Sequence, residues 1–342
     1  MGDIIPLRRA TSSRYDGRLG QESACEFDRE SYYEEKGAND IELRQEWQSL
    51  ERSLKAESRF FNKAAESILN TLFDGLAEHK TFDGKGAVID VGPGRDIASV
   101  YRARVFQTAV LLEKALMRPD EELGPPPTAI ATGGRMNALG ISVFYGALDE
   151  DIALGEIRPP VGSRVMVGKF ALKRALKVLD VEALRSVLVS GSIFDPTHIT
   201  KLERAKFLGR LSDRITRPVM PNDEQSDYLI TQAIADYLAS QAGLDGILYP
   251  SAQAGGAKRN IVFFHHATRV DPLEIPANTE LEARTYSITD EGPEDDYAVT
   301  EIVADEAPKE EEGPLPPFMA VLREKPSNSD VRPALFPAGF PW

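Results

Sequence analysis

Guanidinium, carboxylate, amide and phenol side chains recur among glycines between Ala98 and Pro160, a mixture suited to binding an anionic nucleotide. Tyr101-Arg102-Ala103-Arg104 opens the stretch, Gly133-Gly134-Arg135-Met136-Asn137 follows the Pro-rich loop Gly124-Pro125-Pro126-Pro127, and Phe144-Tyr145-Gly146-Ala147 leads on to Glu156. A guanidinium is a flat fork of donors that matches phosphate or carboxylate oxygens in pairs, and neighbouring glycines let backbone approach a ligand closely. Each residue also has a plain structural role. Arg135 reads equally as a solvated turn residue, Arg102 as a strand arginine with its stem packed down, and Tyr145 as a half-buried aromatic whose hydroxyl finds a local partner.

Glu156 carries more information. Asp149 is placed to cap a short helix, with Glu150 and Asp151 in its first turn. On that helix Ile152, Ala153 and Glu156 share one face, since residues three or four apart are neighbours. A carboxylate on an inward face is costly unless hydrogen bonds satisfy it, whereas a surface acid costs nothing. Farther on, Gly246-Ile247-Leu248-Tyr249-Pro250-Ser251 and Asn260-Ile261-Val262-Phe263-Phe264 read as buried-type strands joined by a loop, with Ser251 at a strand end. Ser251 lacks the glycine-rich elbow of a hydrolase nucleophile, and no His and Asp are placed to complete a triad. Local backbone bonding would account for Ser251 and Asn260 equally well.

Taken as an ordered string from Val100 to Phe264, these motifs resemble the RES domain family, the toxin components of bacterial RES/Xre toxin–antitoxin pairs. The resemblance rests on Tyr101-Arg102-Ala103-Arg104, Gly134-Arg135-Met136-Asn137 with Gly140, Phe144 to Ala147, Ala153 to Glu156, and Tyr249-Pro250-Ser251 with Asn260. It implies an α+β fold, a mixed β core like that of ADP-ribosyltransferases with flanking helices. It also implies cleavage of the nicotinamide–ribose bond of NAD, which is substrate and not cofactor. The Arg, Glu and Ser that name the family fall on Arg102, Glu156 and Ser251. The same resemblance puts Glu156 beside the ribose, Arg102 and Arg135 on the pyrophosphate, Tyr145 against the nicotinamide, Asn137 orienting Arg135 or the ligand, and Ser251 and Asn260 in polar contact with it. Two departures stand out: Met136 occupies a position where the short toxins carry tryptophan, and Arg104, on the same strand face as Arg102, competes for the role of site arginine. Water, phosphate or a macromolecular group could accept the ADP-ribose, giving a glycohydrolase, a phosphorylase or an ADP-ribosyltransferase. A binding or regulatory module without turnover is the reading from another class. An Xre-type antitoxin and a second copy of the chain are the implied protein partners.

Composition sets the bounds. The chain has 342 residues, 42% of them hydrophobic, which marks a globular protein. A net charge of −14 argues against general nucleic-acid or anionic-membrane binding. No apolar run approaches the ~20 residues that cross a bilayer, and the N-terminal residues do not continue into a secretion signal, so a cytoplasmic location is expected. The single cysteine, Cys25, cannot form an internal disulfide, and no metal site is expected: the adjacent His265 and His266 would point to opposite faces of a strand.

The elements that must position these residues follow from pattern. Polar residues 1–38 read as a flexible arm. A helical N-terminal segment over 39–85 carries the stripes Trp47, Leu50, Leu54 and Phe61, Ala65, Ile68, Leu72, fit to pack on the catalytic domain or on a second copy. The catalytic domain spans 86–270. Within it, Val88 to Asp96 lacks the spacing of a phosphate loop and reads as a connecting turn. Strands are expected at Ser99–Arg104, Arg164–Phe170 and Leu176–Asp180, with helices over Gln107–Met117, from Asp195-Pro196, and over Tyr228–Ala242. Alternation over Leu281–Ile288 and Tyr297–Val303 gives a hairpin at 271–304, and an acidic, Pro-rich flexible tail fills 305–342.

Overall fold

The structure, a computed structural model, describes residues 38–303 apart from 193, 196, 221, 252–257, 290 and 291. The expected arm and tail therefore lie outside the described residues. Contacts divide the chain into two units: Met1–Val105 with Pro125–Val270, and Phe106–Gly124 with Asp271–Trp342.

The first unit is built on a seven-stranded mixed sheet: β1 (Val88–Val91), β2 (Ser99–Phe106), β3 (Phe144–Ala147), β4 (Arg164–Ala171), β5 (Leu176–Asp180), β6 (Gly246–Pro250) and β7 (Arg259–Phe263). Its strand order is β1-β5-β6-β7-β3-β2-β4, with β5 and β6 parallel and β1–β5, β6–β7, β3–β7 and β2–β3 antiparallel. The expected α+β class with a mixed sheet and flanking helices is what the chain adopts. Val88–Val91 is an edge strand and not a turn, although Gly92 and Gly94, both at positive φ, turn the chain directly after it.

Side chains alternate across a sheet, and here both faces are covered. One face carries Leu179, Ile247 and Val262 and is packed with the helical stripes Trp47, Leu50 and Leu54 of α1 (Ile41–Ala56) and Leu69 and Leu72 of α2 (Lys63–Phe73). Phe207, Leu208 and Leu211 of α6 (His198–Thr216) and Ile230, Ile234 and Leu238 of α7 (Glu224–Ser240) complete that layer. The N-terminal helices thus pack within their own chain, with Trp47 against Phe207 at 5.6 Å between ring centroids. Residues 57–62 separate α1 from α2, whose N-cap Asn62 accepts from the Ala65 amide. Helix α6 begins two residues beyond the expected proline position, while the Asp195 carboxylate accepts from the amide and hydroxyl of Thr197. The opposite face buries Val91, Val100, Phe144, Leu176, Val178, Leu248, Ile261 and Phe263.

A short helix, α5 (Glu150–Ile157), follows β3 as expected, with Asp149 at its N-cap position but without a side-chain capping bond. It buries Ile152 and Ala153 against Ala147, with Tyr101, Ala103 and Val167 around them.

The second unit contains α3 (Ala109–Met117), capped by the Thr108 hydroxyl, the single turn α4 (Pro119–Glu122), and a two-stranded sheet of β8 (Thr279–Thr289) and β9 (Gly292–Val303). The hairpin is longer than the alternation suggested: pairing runs from Thr279↔Val303 to Thr289↔Gly292, through a register shift between Arg284 and Tyr286.

Candidate active site

Three of the expected residues meet at one carboxylate. Glu156 lies on the last turn of α5 with an exposed side chain, and its Oε1 accepts from Ser251 Oγ at 2.6 Å and from Asn260 Nδ2 at 2.7 Å. Ser251 and Asn260 are themselves buried, at 6% and 4% exposure, so the donors are fixed while the acceptor reaches them from the surface. Both bonds fall on one oxygen, and Oε2 accepts none from the described residues. The Asn260 amide has its nitrogen turned to the carboxylate, which leaves its Oδ1 buried without a hydrogen-bond partner among the described residues.

The register explains why these groups share a face. Tyr101 pairs with Ala147, Ala147 with Asn260, and Asn260 with Tyr249, a row that crosses β2, β3, β7 and β6. Directly opposed residues point the same way. Ala147 is the small member, and α5 packs over it. Tyr249 therefore flanks Asn260 on the Glu156 side and Tyr101 lies beyond Ala147 in the same row, two aromatics that the sequence motifs contained without marking. Burial foremost, then the neighbouring Tyr145 and Glu156, hold the Tyr249 phenol far above its ordinary pKa, so it stays a hydroxyl. Lys169, two residues beyond Val167 on β4, extends its ammonium over the Tyr101 ring at 5.6 Å from the centroid. It stands on the same face and forms no ion pair among the described residues.

Tyr145 and Asn137 join each other. The Tyr145 hydroxyl accepts from the Met136 amide at 2.9 Å and donates to Asn137 Oδ1 at 2.9 Å. Asn137 Nδ2 in turn donates to the carbonyls of Thr132 and Ile141. Burial raises the Tyr145 phenol well above its usual range. The loop lies so close that a Cβ on Gly134 would come within 2.7 Å of Tyr145 Oη and 2.8 Å of Asn137 Oδ1, which is why glycine stands there. Met136, at 2% exposure, belongs to the core layer beneath.

Arg135 is held at the end of a helix. Its Nη1 donates to the carbonyls of Ile215 at 2.7 Å and Arg217 at 2.8 Å, a cation at the negative end of α6, and its guanidinium lies 5.5 Å from the Tyr228 ring centroid. It lines a cavity of about 210 Å³ bounded by Trp47, Ile215, Arg217, Tyr228 and Thr231, a lining that does not include Glu156.

Arg102 and Arg104 do not join the carboxylate. Tyr101 and Ala103 occupy the α5 face, so alternation sends both arginines to the other side of the sheet. There the Arg102 guanidinium sits 5.1 Å from the centroid of Phe144, a residue of the opposite core layer. Its Nη1 is buried without a hydrogen-bond partner among the described residues. Burial, and next the charge of Arg104, push it down to about 10, which leaves it a cation at neutral pH. The expected meeting of a strand guanidinium with Glu156 in one cavity is thus not realised. The reason is the period of two along β2, combined with a register that assigns Tyr101 to the Ala147 side. Among the described residues, no group of three or more His, Cys, Asp or Glu side chains could hold a metal ion, and no helix is long and apolar enough to cross a membrane.

A carboxylate held by two buried donors thus stands on one face of a mixed α+β sheet that also carries Tyr249, Tyr101 and Lys169. The RES domain family model matches residues 100–289, more than half of the chain, and the chain belongs to the RES domain family. No curated protein matches it. Among solved structures it is similar to a chain in the crystal structure of the M. tuberculosis MbcT–MbcA toxin–antitoxin complex. The identity is 15%, the match covers 52% of this chain and 81% of that one, and the TM-score is 0.27.

Proposed function

We propose that this protein is an NAD-degrading enzyme that cleaves the bond between nicotinamide and ribose, with Glu156 as its catalytic carboxylate. The observation that carries the proposal is the pair of buried donors on Glu156 Oε1, with Oε2 accepting no hydrogen bond among the described residues, in a chain of the RES domain family. In this reaction the glycosidic electron pair leaves with the nicotinamide nitrogen, which becomes neutral, while positive charge grows on the ribose carbon and ring oxygen. A fixed anion beside that carbon lowers the barrier because the charge it stabilises is larger in the transition state than in bound NAD. Ser251 and Asn260 hold Oε1 still, so Oε2 can take a ribose hydroxyl and present the negative charge to the sugar. Tyr249 and Tyr101 border the site, and Lys169 offers the cation for the pyrophosphate that Arg102, on the far side of the sheet, does not.

The acceptor follows from what enters after nicotinamide leaves. Water yields ADP-ribose and a proton; inorganic phosphate yields the phosphorylated sugar. Incubating the purified protein with NAD, with and without phosphate, and separating the products by chromatography tests the proposal. Nicotinamide release is expected in at least one condition, and NAD that stays intact in both would refute it. A toxin role with a masking antitoxin extends the same proposal: expression should arrest growth and deplete cellular NAD, and growth with active protein present and NAD depleted would remove the toxin part alone.

A further inference from the structure

The charge of the chain is not spread over both units. By sequence, the unit of residues 106–124 and 271–342 has 21 acidic and 7 basic side chains, whereas the other unit has 33 of each. The smaller unit thus accounts for the whole net charge of −14. An acidic appendage repels a dinucleotide, so its charge serves something other than capture of NAD.

The described part of this unit also leaves an apolar shelf uncovered. Helix α3 lies over β8, buries Leu112 and Ala115, and places Glu113 against the buried Thr285 hydroxyl at 3.2 Å. Thr285, Ala283 and Leu281 are therefore the β8 residues that face the helix. Their partners put Val299 and Glu301 of β9 on that side, with Tyr297 two residues before Val299. Because α3 packs on β8, Tyr297 and Val299 stay about half exposed beside it, at 50% and 45%. Val110 and Leu111 on α3 are exposed as well. Among the described residues no strand pairs with the outer edge of β9, which spans twelve residues. A long open edge beside apolar side chains is a place where another chain can dock.

We infer that this shelf, formed by Tyr297 and Val299 and bordered by Glu301, is a docking surface for a basic, amphipathic polypeptide segment from a separate protein. Complementary charge selects the occupant. A second copy of this unit and the net-acidic residues 304–342 carry the same sign and are repelled, whereas a lysine- or arginine-rich segment with an apolar side meets both the acids and the shelf. Apolar burial supplies the affinity and the acids supply orientation and rate.

The probe is a short amphipathic lysine–leucine peptide, with its glutamate–leucine counterpart as control, titrated against the full chain by fluorescence anisotropy. The lysine peptide is expected to bind in the micromolar range, weaker by about tenfold when salt rises from about 0.05 to about 0.5 M, because exposed charges are then screened. The double variant Val299→Lys, Glu301→Lys should bind it at least about tenfold more weakly with an unchanged melting temperature. The double variant Glu42→Lys, Glu46→Lys, which adds at least as much positive charge at exposed positions of α1, should bind it as the natural chain does. Equal weakening in both variants, equal binding of the glutamate peptide, or no binding would overturn the inference. So would tightening by Arg8→Glu with Arg9→Glu, which would assign the shelf to the chain's own N-terminal residues. A dimer in sedimentation that Val299→Lys, Glu301→Lys dissolves would overturn it too, in favour of a second copy.

Discussion

Glu156 is the residue on which the chemistry turns, and what distinguishes it from any other helix acid is the pair of donors below it. Ser251 and Asn260 touch the same oxygen, so they act through Glu156 more than through the ligand. Replacing either with alanine should lower kcat about tenfold with little change in KM, the pattern for an interaction that matters mainly in the transition state. A rise in KM at constant kcat would make them ligand contacts instead. Lys169 makes the opposite prediction: Lys169→Ala should raise KM for NAD about tenfold at nearly constant kcat, because a contact to the pyrophosphate is equal in ground and transition states. An unchanged KM would remove Lys169 from the site. The family resemblance singled out Glu156, Ser251 and Asn260 as ligand-site residues, but not that Ser251 and Asn260 bond to Glu156 itself. It did not reveal the faces of Arg102 and Lys169: which side of β2 turns toward α5 depends on the pairing Tyr101↔Ala147, a long-range register that no local pattern encodes.

The elements divide by how their signals arise. Helices α1, α2 and α7 follow from periodicity, since each buries one stripe, and strands β4 and β5 follow from their partial apolar alternation, although β5 buries Leu176 and Val178 on one face and Leu179 on the other. The loop Gly134 to Asn137 is a different case. Its glycine fits a space closed by Tyr145 and Asn137, and Arg135 is spent on the end of α6. A glycine-flanked arginine reads as a ligand clamp in sequence because the α6 carbonyls that hold it lie 80 residues away in the chain. Sequence leaves open whether helix α1 packs on the catalytic domain or on a second copy for a related reason: its partners on α6 and α7 are distant in the chain. Trp47 is 1% exposed, and its Nε1 donates to Glu51 Oε1 at 2.7 Å. Trp47→Ala should cost about 3–5 kcal/mol in urea unfolding, as for a fully buried aromatic. A cost below about 1 kcal/mol would mean that α1 is not part of the folded core.

At the scale of the whole molecule, a neutral unit that carries the candidate site is joined to an acidic one, and acid should act on them differently. In the acidic unit the hydrogen-bonded Arg118 guanidinium, more than any other group, pulls the Asp120 carboxyl down to about 2, and the Leu273 amide also donates to it. A depressed carboxyl stabilises the fold above its unfolded pKa, and that contribution is lost as pH falls through the folded value. Protection of amides around Leu273 in hydrogen exchange should therefore hold at pH 5 and fade between about pH 4 and about pH 2. Asp120→Asn should abolish that pH dependence, and a loss of protection centred above pH 5 would contradict the assignment. The central claim concerns the other unit, and the most direct test separates binding from chemistry at Glu156. Equilibrium binding of NAD and single-turnover nicotinamide release should be measured side by side on the natural chain and on Glu156→Gln. The account predicts NAD affinity within about threefold and release slowed by at least about a hundredfold. Release at the natural rate in Glu156→Gln would contradict it.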